Sequence, residues 1–281
     1  MGTVLVFGSM NNDLVVRSPR HPQPGETLLG GPFSTHQGGK GANQAVAAAV
    51  MGADVRMRGA VGDDPFGIDL VAALVEAGID VADVGVVEGP SGVAVITVDD
   101  AGENTIVVAP GANGSVTADD LDLEGVSVLL AQLEVPIESV RTALRLAKAM
   151  GVMTVLNAAP ATVLDPGFIA LVDVLIVNEH ELSVLDQPGP GAVVLTLGSR
   201  GLVVDGTEVS AHAVHVVDTT GAGDACCGAI AAALATGASL DTAARLGNAA
   251  GAIACTVAGA RLDRRAEPSI RALLEPRPSI D

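Results

Sequence analysis

Tryptophan and tyrosine are absent from this chain of 281 residues, and phenylalanine occurs four times, at Phe7, Phe33, Phe66 and Phe168. That scarcity excludes base-stacking platforms and aromatic sugar-stacking clefts. Positive charge is short as well: 15 Lys and Arg stand against 33 Asp and Glu, a formal net charge of −18. Nucleic acid and anionic membrane surfaces both need a basic footprint, so neither is expected as a partner. A ligand has to be held by backbone groups, carboxylates and amides. Cysteine occurs three times (Cys226, Cys227, Cys255), inside Ala-rich runs and without metal or disulfide spacing. This predicts buried thiols in a reducing, cytoplasmic setting.

Membrane-length apolar runs are also missing, although 49% of residues are hydrophobic and the mean hydropathy is +0.47. The uncharged runs Ala225–Leu240 and Leu246–Ala260 fall short of the roughly 20 residues a bilayer span needs. Their Ala, Gly and Thr content predicts buried core helices instead. Met1 to Phe7 has no basic n-region of a signal peptide and predicts a strand.

What is present is a rhythm. Apolar, β-branched runs at Thr3–Phe7, Val55–Ala60, Val126–Leu130, Val152–Leu156, Val172–Val177 and Ala192–Leu197 alternate with helical patterns at Gly41–Met51, Phe66–Ala77, Ile137–Met150 and Glu179–Leu185. Two Ala-rich helices, near Ala222–Ala235 and Leu240–Val257, close the chain. Continuous apolar strands alternating with helices predict a three-layer α/β/α domain with a mostly parallel central sheet, covering residues 1–281 as one domain. Two stretches break the rhythm. Residues 13–36 carry Pro19, Pro22, Pro24 and Gly25, then weak strand signals around Glu26–Phe33. Residues 91–110 read as a hairpin turning at Asp100–Gly102. Together they predict a small discontinuous β-sheet lid over the C-terminal edge of the main sheet, where open α/β proteins bind ligands.

Three sets of residues carry chemistry. Asp218-Thr219-Thr220-Gly221-Ala222-Gly223-Asp224 opens the first Ala-rich helix. Glycines there let a helix N-terminus approach an anion. An Asp at such a position is ordinarily an N-cap, which leaves the paired glycines and Asp218 unexplained. Gly38-Gly39-Lys40-Gly41-Ala42-Asn43-Gln44 opens another helix. It is neither a P-loop, lacking the Ser/Thr after Lys40, nor a dinucleotide fingerprint; its glycines predict close backbone approach to a small ligand. Finally, Asn11 and Asp13, Glu134, Asn157, Asn178 with Glu181, and Thr196–Gly201 all follow apolar strands. Singly these are caps and turn formers. At one edge of a sheet they suit a hydroxyl-rich substrate, because Asn and Asp pair with vicinal hydroxyls.

Gly38–Asn43 and Asp218–Asp224, followed by Gly228-Ala229, resemble the two signature regions of the ribokinase-like (pfkB) carbohydrate kinases. Gly8–Asp13, Pro24–Thr27, Gln132–Glu134, Asn157, Asn178–Glu181 and Thr196–Gly201 are similar to the ribokinase branch, and the likeness runs from Thr3 to about Gly259. The resemblance implies transfer of the γ-phosphoryl of Mg·ATP to the 5-hydroxyl of D-ribose. Deoxyribose, fructose and nucleoside kinases are the alternatives within the family, and a silent sugar-binding regulator is the alternative outside it. By the resemblance, Asn11, Asp13, Gly39, Lys40, Asn43, Glu134 and Asp224 bind the sugar. Asp224 is the base, and the amides of Gly221, Ala222 and Gly223 hold the developing charge. Asn178, Glu181, Thr196, Leu197, Gly198, Ser199, Arg200, Gly201, Gly223 and Asn248 line the ATP site, with Glu181 organising Mg²⁺ through water. Asp218, Thr220, Ala254, Val257, Gly259 and Asp263 match positions for an activating K⁺, and relatives pair through the lid as homodimers. The chain departs from the family in two places. Only six residues separate Leu185 from Ala192, where relatives carry a further helix, so one sheet face is expected to be less covered. Arg261-Leu262-Asp263-Arg264-Arg265 replaces small or Pro/Ser residues, and Asp263 is expected either to strengthen the cation site or to turn toward Arg264 or Arg265.

Overall fold

Runs of aliphatic residues form a sheet whose side chains alternate between two separate cores. The computed structural model describes residues 2–185, 189 and 191–275. In chain order the strands are β1 (Thr3–Phe7), β2 (Asn11–Arg17), β3 (Phe33–Gly38), β4 (Asp54–Gly62), β5 (Val84–Val87), β6 (Gly92–Val98), β7 (Asn104–Ala109), β8 (Val126–Ala131), β9 (Met153–Asn157), β10 (Val174–Asn178), β11 (Ala192–Thr196), β12 (Leu202–Val204) and β13 (Thr207–Val209). The helices are α1 (Lys40–Val50), α2 (Pro65–Glu76), α3 (Ile137–Ala149), α4 (Pro166–Ile169), α5 (Glu179–Val184), α6 (Ala222–Ala235), α7 (Leu240–Ala254) and α8 (Glu267–Ala272).

Nine strands run in the order β13-β12-β11-β10-β9-β8-β1-β4-β5, parallel except for β12 and β13. Along β1, β8 and β10 successive side chains point to opposite faces. Val4, Val6, Val128, Leu130, Val174 and Ile176 enter one core with α1, α2, α6 and α7. Leu5, Phe7, Leu129, Ala131, Leu175 and Val177 enter the other with α3 and α4. Parallel strands covered on both faces are the reason these segments read as unbroken apolar runs. The expected three-layer α/β architecture is what the structure shows.

The Ala-rich helices are core helices, as their composition predicts. α6 is buried along nearly its whole length. It packs so closely on α1 that a Cβ on Gly228 would lie 2.3 Å from the Gln44 carbonyl oxygen. Among the described residues no helix is long and apolar enough to cross a membrane.

A separate four-stranded sheet, ordered β3-β2-β6-β7, joins the two stretches that break the α/β rhythm. The hairpin β6–β7 turns at residues 99–103 as expected. The weak strand signal at Glu26–Phe33 is misplaced: residues 18–32 form no strand, and β3 begins at Phe33. Its sequence, FSTHQG, is polar and exposed, so no hydrophobic alternation announces it. The shortened crossover after Leu185 falls mostly outside the described residues; flanking it, Val193 and Leu195 are half-buried.

Candidate active site

Because β1, β8, β9, β10 and β11 are parallel, their C-terminal ends lie along one edge. The chain continues from that edge into Asn11, Glu134, Asn157, Asn178 and Thr196. Two N-termini, those of α1 and α6, come to the same place: Asn43 Nδ2 donates to Asp224 Oδ2 at 3.1 Å, and Gln44 Nε2 donates to Asp224 Oδ1 at 2.9 Å. The Asp224 carboxylate is buried and held on each oxygen by one amide.

That grip is part of a longer buried chain. Gln132 Nε2 donates to Gln44 Oε1 at 2.6 Å, and Gln44 Nε2 also reaches Asn157 Oδ1 at 3.1 Å. The chain fixes which end of the Gln44 amide faces the carboxylate, so Gln44 can only donate to it. Gln44 closes the Gly38–Gln44 motif, whose linear pattern gives it no role.

The glycines of the first motif are required by the chain's own packing. A Cβ on Gly38 would strike the Asp13 carboxylate at 2.2 Å, on Gly39 the Asn11 amide at 2.6 Å, and on Gly41 the Ser9 amide at 2.6 Å. In the second motif the roles divide. Gly221 adopts φ 75° against the Ala260 carbonyl, whereas a Cβ on Gly223 would meet nothing within 4 Å. Of the three amides expected to hold the transferred charge, that of Ala222 already donates to the Thr219 carbonyl oxygen at 3.3 Å. Gly223 presents its backbone to open space in the first turn of α6, where helix amides lack intrahelical partners.

Lys40 shares a cleft with Gly223 and Asp224, and Asp13 lies within reach of the charges of Glu134 and Asp224. Asn113 Nδ2 donates to Asn11 Oδ1 at 2.7 Å and is itself locked to the Met10 backbone, so the Asn11 amide group faces the remaining space. Nothing in the sequence singles out Asn113. Glu134 Oε2 accepts from the Lys40 amide at 3.0 Å and from Ser9 Oγ at 2.5 Å, capping α1 with one oxygen. Burial, then the charges of Glu134 and Asp224, push the Asp13 carboxyl up to about 6, against an opposing pull from Arg261. Burial draws the Lys40 ammonium down, but Asp224, Glu134 and Glu181 outweigh it and hold the group above its ordinary value. A lysine surrounded by three carboxylates stays charged.

Two clefts meet here. One, of about 150 Å³, is lined by Lys40, Asn157, Asn178, Glu181, Gly223 and Asp224, among others. The other, of about 470 Å³, gathers Thr196, Gly198, Ser199, Gly201, Gly223 and Asn248 with an apolar wall that includes Ala252 and Cys255. Thr196 and Gly223 line both. Asn178 and Glu181 form a reciprocal cap on α5, each side chain accepting from the other's backbone amide at 2.8 Å. Burial raises Glu181 despite that bond.

Some expected residues lie elsewhere. Leu197 and Arg200 do not line the larger cleft, and the Arg200 guanidinium pairs with Glu179 at 2.6 Å on the surface. Asp218 Oδ1 accepts from the Thr220 amide and hydroxyl, and Oδ2 from the Gly259 amide at 3.0 Å, which brings three of the expected cation residues together. Ala254, the last residue of α7, is buried. Asp263 takes the second of its two expected courses: Oδ1 accepts from the Arg265 amide at 2.8 Å and from its guanidinium at 3.3 Å. Among the described residues no group of three or more His, Cys, Asp or Glu side chains is arranged to hold a metal.

The model of the pfkB family of carbohydrate kinases matches residues 1–266. Ribokinase of Schizosaccharomyces pombe is 40% identical over 275 residues, 84% of this chain and 86% of that one. Ribokinase of Haemophilus influenzae is 37% identical over 92% of this chain and 94% of its own. The solved structure of Arabidopsis thaliana ribokinase complexed with ribose and ATP superposes with a TM-score of 0.85, at 30% identity and 98% coverage of both chains.

Proposed function

The chain belongs to the pfkB carbohydrate kinase family, and from that premise we propose that it transfers the γ-phosphoryl of ATP to the 5-hydroxyl of D-ribose. It is a phosphotransferase with an alcohol group as acceptor. The observation that carries the reading is Asp224: a buried carboxylate, held by one donor on each oxygen, where a nucleotide-sized cleft meets a polar pocket.

The sugar enters between Asn11, Asp13, Asn43 and Glu134 and presents its primary hydroxyl to Asp224. The carboxylate takes the hydroxyl proton as the oxygen attacks the γ-phosphorus in line. The bond to the β,γ-bridging oxygen breaks and ADP departs. Little covalent help is needed, because phosphoryl transfer depends on positioning and charge neutralisation. Lys40 and the Gly223 amide supply fixed positive charge where the transferred group passes. The Glu181 carboxylate, with one oxygen spent on its cap, has the other available and would hold, through water, a divalent metal that would supply neutralising charge to the polyphosphate. The nucleotide lies along Thr196, Gly198, Ser199, Gly201 and Asn248.

Two finer features belong to the same reading. Asp218, Thr220 and Gly259 form the framework of a K⁺ site whose ligands are largely backbone oxygens, without Asp263. The second sheet is a lid, and its exposed apolar residues Phe33 (61%), Val95 (49%), Ile106 (51%) and Val107 (71%) pair it with a second copy. Light scattering at twice the chain mass supports that pairing and a monomer contradicts it. The buried Cys226 and Cys227 suit a reducing cytoplasm.

The function is tested by ADP release from Mg·ATP across pentoses, hexoses and nucleosides, with and without K⁺. Ribose is expected to give the highest kcat/KM. Preference for a nucleoside, or release unaffected by any sugar, overturns the assignment.

A further inference from the structure

The sequence of α6 puts Asp224 where a carboxylate is ordinarily drawn to its own helix. It sits in the first turn, and the N-cap, Gly221, has no side chain to occupy the free amides there. Both carboxylate oxygens turn instead to α1, to Asn43 Nδ2 and Gln44 Nε2. The polarity of those two amides is fixed by groups that act in one direction only. Arg261 Nε can only donate, and it donates to Asn43 Oδ1 at 3.3 Å, so Asn43 meets Asp224 with its nitrogen.

On the Gln44 side the polarity is set by the sheet. The Ile176 carbonyl of β10 can only accept, and Asn157 Nδ2 donates to it at 3.2 Å. Asn157 Oδ1 is thereby turned to α1, where it accepts from Gln44 Nε2 at 3.1 Å. The same nitrogen donates to Asp224 Oδ1 at 2.9 Å, and Gln132 Nε2 holds the far end of the amide, donating to Gln44 Oε1 at 2.6 Å. Gln44 and Gln132 are fully buried, so bulk water does not compete for these bonds. Asn157 lines the smaller cleft beside Asp224. A string of one-way hydrogen bonds therefore runs from a strand backbone to one oxygen of the carboxylate.

We propose that Gln44 and Asn157 are positioning residues for the proton transfer: they hold the Asp224 carboxylate off the first-turn amides of α6 and aimed into the smaller cleft, so that base and amides serve the reaction separately. Both act through Asp224. This rests on the reading of Asp224 as the base and adds the groups that aim it. A hydrogen bond to a charged group, once lost, costs about 10- to 100-fold in rate.

The test is a mutant cycle against the base. ADP release under saturating ribose and Mg·ATP is measured for wild type, Gln44→Met, Asn157→Ala and Asp224→Asn, and for each of the first two combined with Asp224→Asn, with thermal melting as the control for folding. Gln44→Met keeps the volume but strands the Gln132 donor. Asn157→Ala leaves the Ile176 carbonyl its bond from the Ala158 amide, and carries the test should Gln44→Met fold poorly. The expected fall in kcat is about 10- to 100-fold in Gln44→Met and about 3- to 10-fold in Asn157→Ala, with both KM values within a few-fold of wild type. Asp224→Asn is expected to absorb these losses, so that neither substitution changes its residual rate more than about twofold. In Gln44→Met the acid limb of the kcat profile is expected at higher pH, because a carboxylate that loses a donor is more readily protonated. Losses undiminished in the Asp224→Asn background, an unmoved acid limb, or a rise in KM alone would overturn the proposal. So would wild-type kcat in both single variants beside a crippled Asp224→Asn. Full activity in Asp224→Asn would bring down the base reading and the proposal with it.

Discussion

A carboxylate that is to accept a proton has to be oriented without being neutralised. Asp224 is held by two neutral amides, Asn43 and Gln44, rather than by a cation. Asn43 was legible in the glycine motif, whereas Gln44 was not: it is uncharged, lies in an Ala-rich helix, and acts on a partner 180 residues away. Asn113 and Arg261 were hidden for the same reason, since their meaning depends on contacts the linear pattern does not encode. Asp13 gives a prediction at this scale. Its folded value of about 6 lies above the ordinary 3.8, so the folded protein prefers it protonated. The cost of ionising it is absent below about pH 4 and complete above about pH 6. Asp13→Asn is therefore expected to raise the melting temperature at pH 7.5, by an amount that shrinks toward zero at pH 4, while weakening sugar binding. An equal gain at both pH values, or a loss, would contradict this. In wild type, kcat/KM for the sugar is expected to fall as the pH drops through about 6, where Asp13 ceases to be an acceptor.

The elements that matter are two helix N-termini set at one sheet edge. Both were legible, because Gly-rich openings before Ala-rich runs have few other uses. The division of labour among the glycines was not. Gly221 has a positive φ and its missing Cβ is replaced by the Ala260 carbonyl 2.0 Å away, while Gly223 borders open space. Gly221→Ala is therefore expected to lower the melting temperature, since it combines a left-handed backbone with a backbone clash. Gly223→Ala is expected to leave it unchanged or slightly raised, because Ala suits a helix interior better than Gly, yet to cut kcat at least ~10-fold by filling the space where two clefts meet. Differential melting and steady-state rates on the two variants separate these effects; a destabilised, fully active Gly223→Ala would reverse the assignment. Other elements escaped notice for local reasons. β3 has no hydrophobic alternation, and the β12–β13 hairpin, despite the two-residue turn signal Asp205-Gly206, has strands of only three residues each.

Across the whole molecule, the scarcity of positive charge and of aromatic rings shapes the chemistry. A chain with a net charge of −18 has to bind a polyanionic co-substrate, so attraction is local: helix N-termini, Lys40, and the metal that arrives with the nucleotide. Six of the seven parallel strands and the helices between them follow from periodicity alone, because strands buried on both faces leave an unbroken apolar record, and the β6–β7 hairpin of the second sheet follows from its alternation. Their order in the sheet, and the meeting of α1 with α6 over Asp224, follow from topology that periodicity does not carry. In the proposed function Asp224 is the group that takes the proton from the sugar. Its most direct test is kcat for ribose-dependent ADP release by wild type and Asp224→Asn, under saturating ribose and Mg·ATP. A fall of at least ~10²-fold in a variant that melts like wild type is predicted; full activity in Asp224→Asn would contradict it.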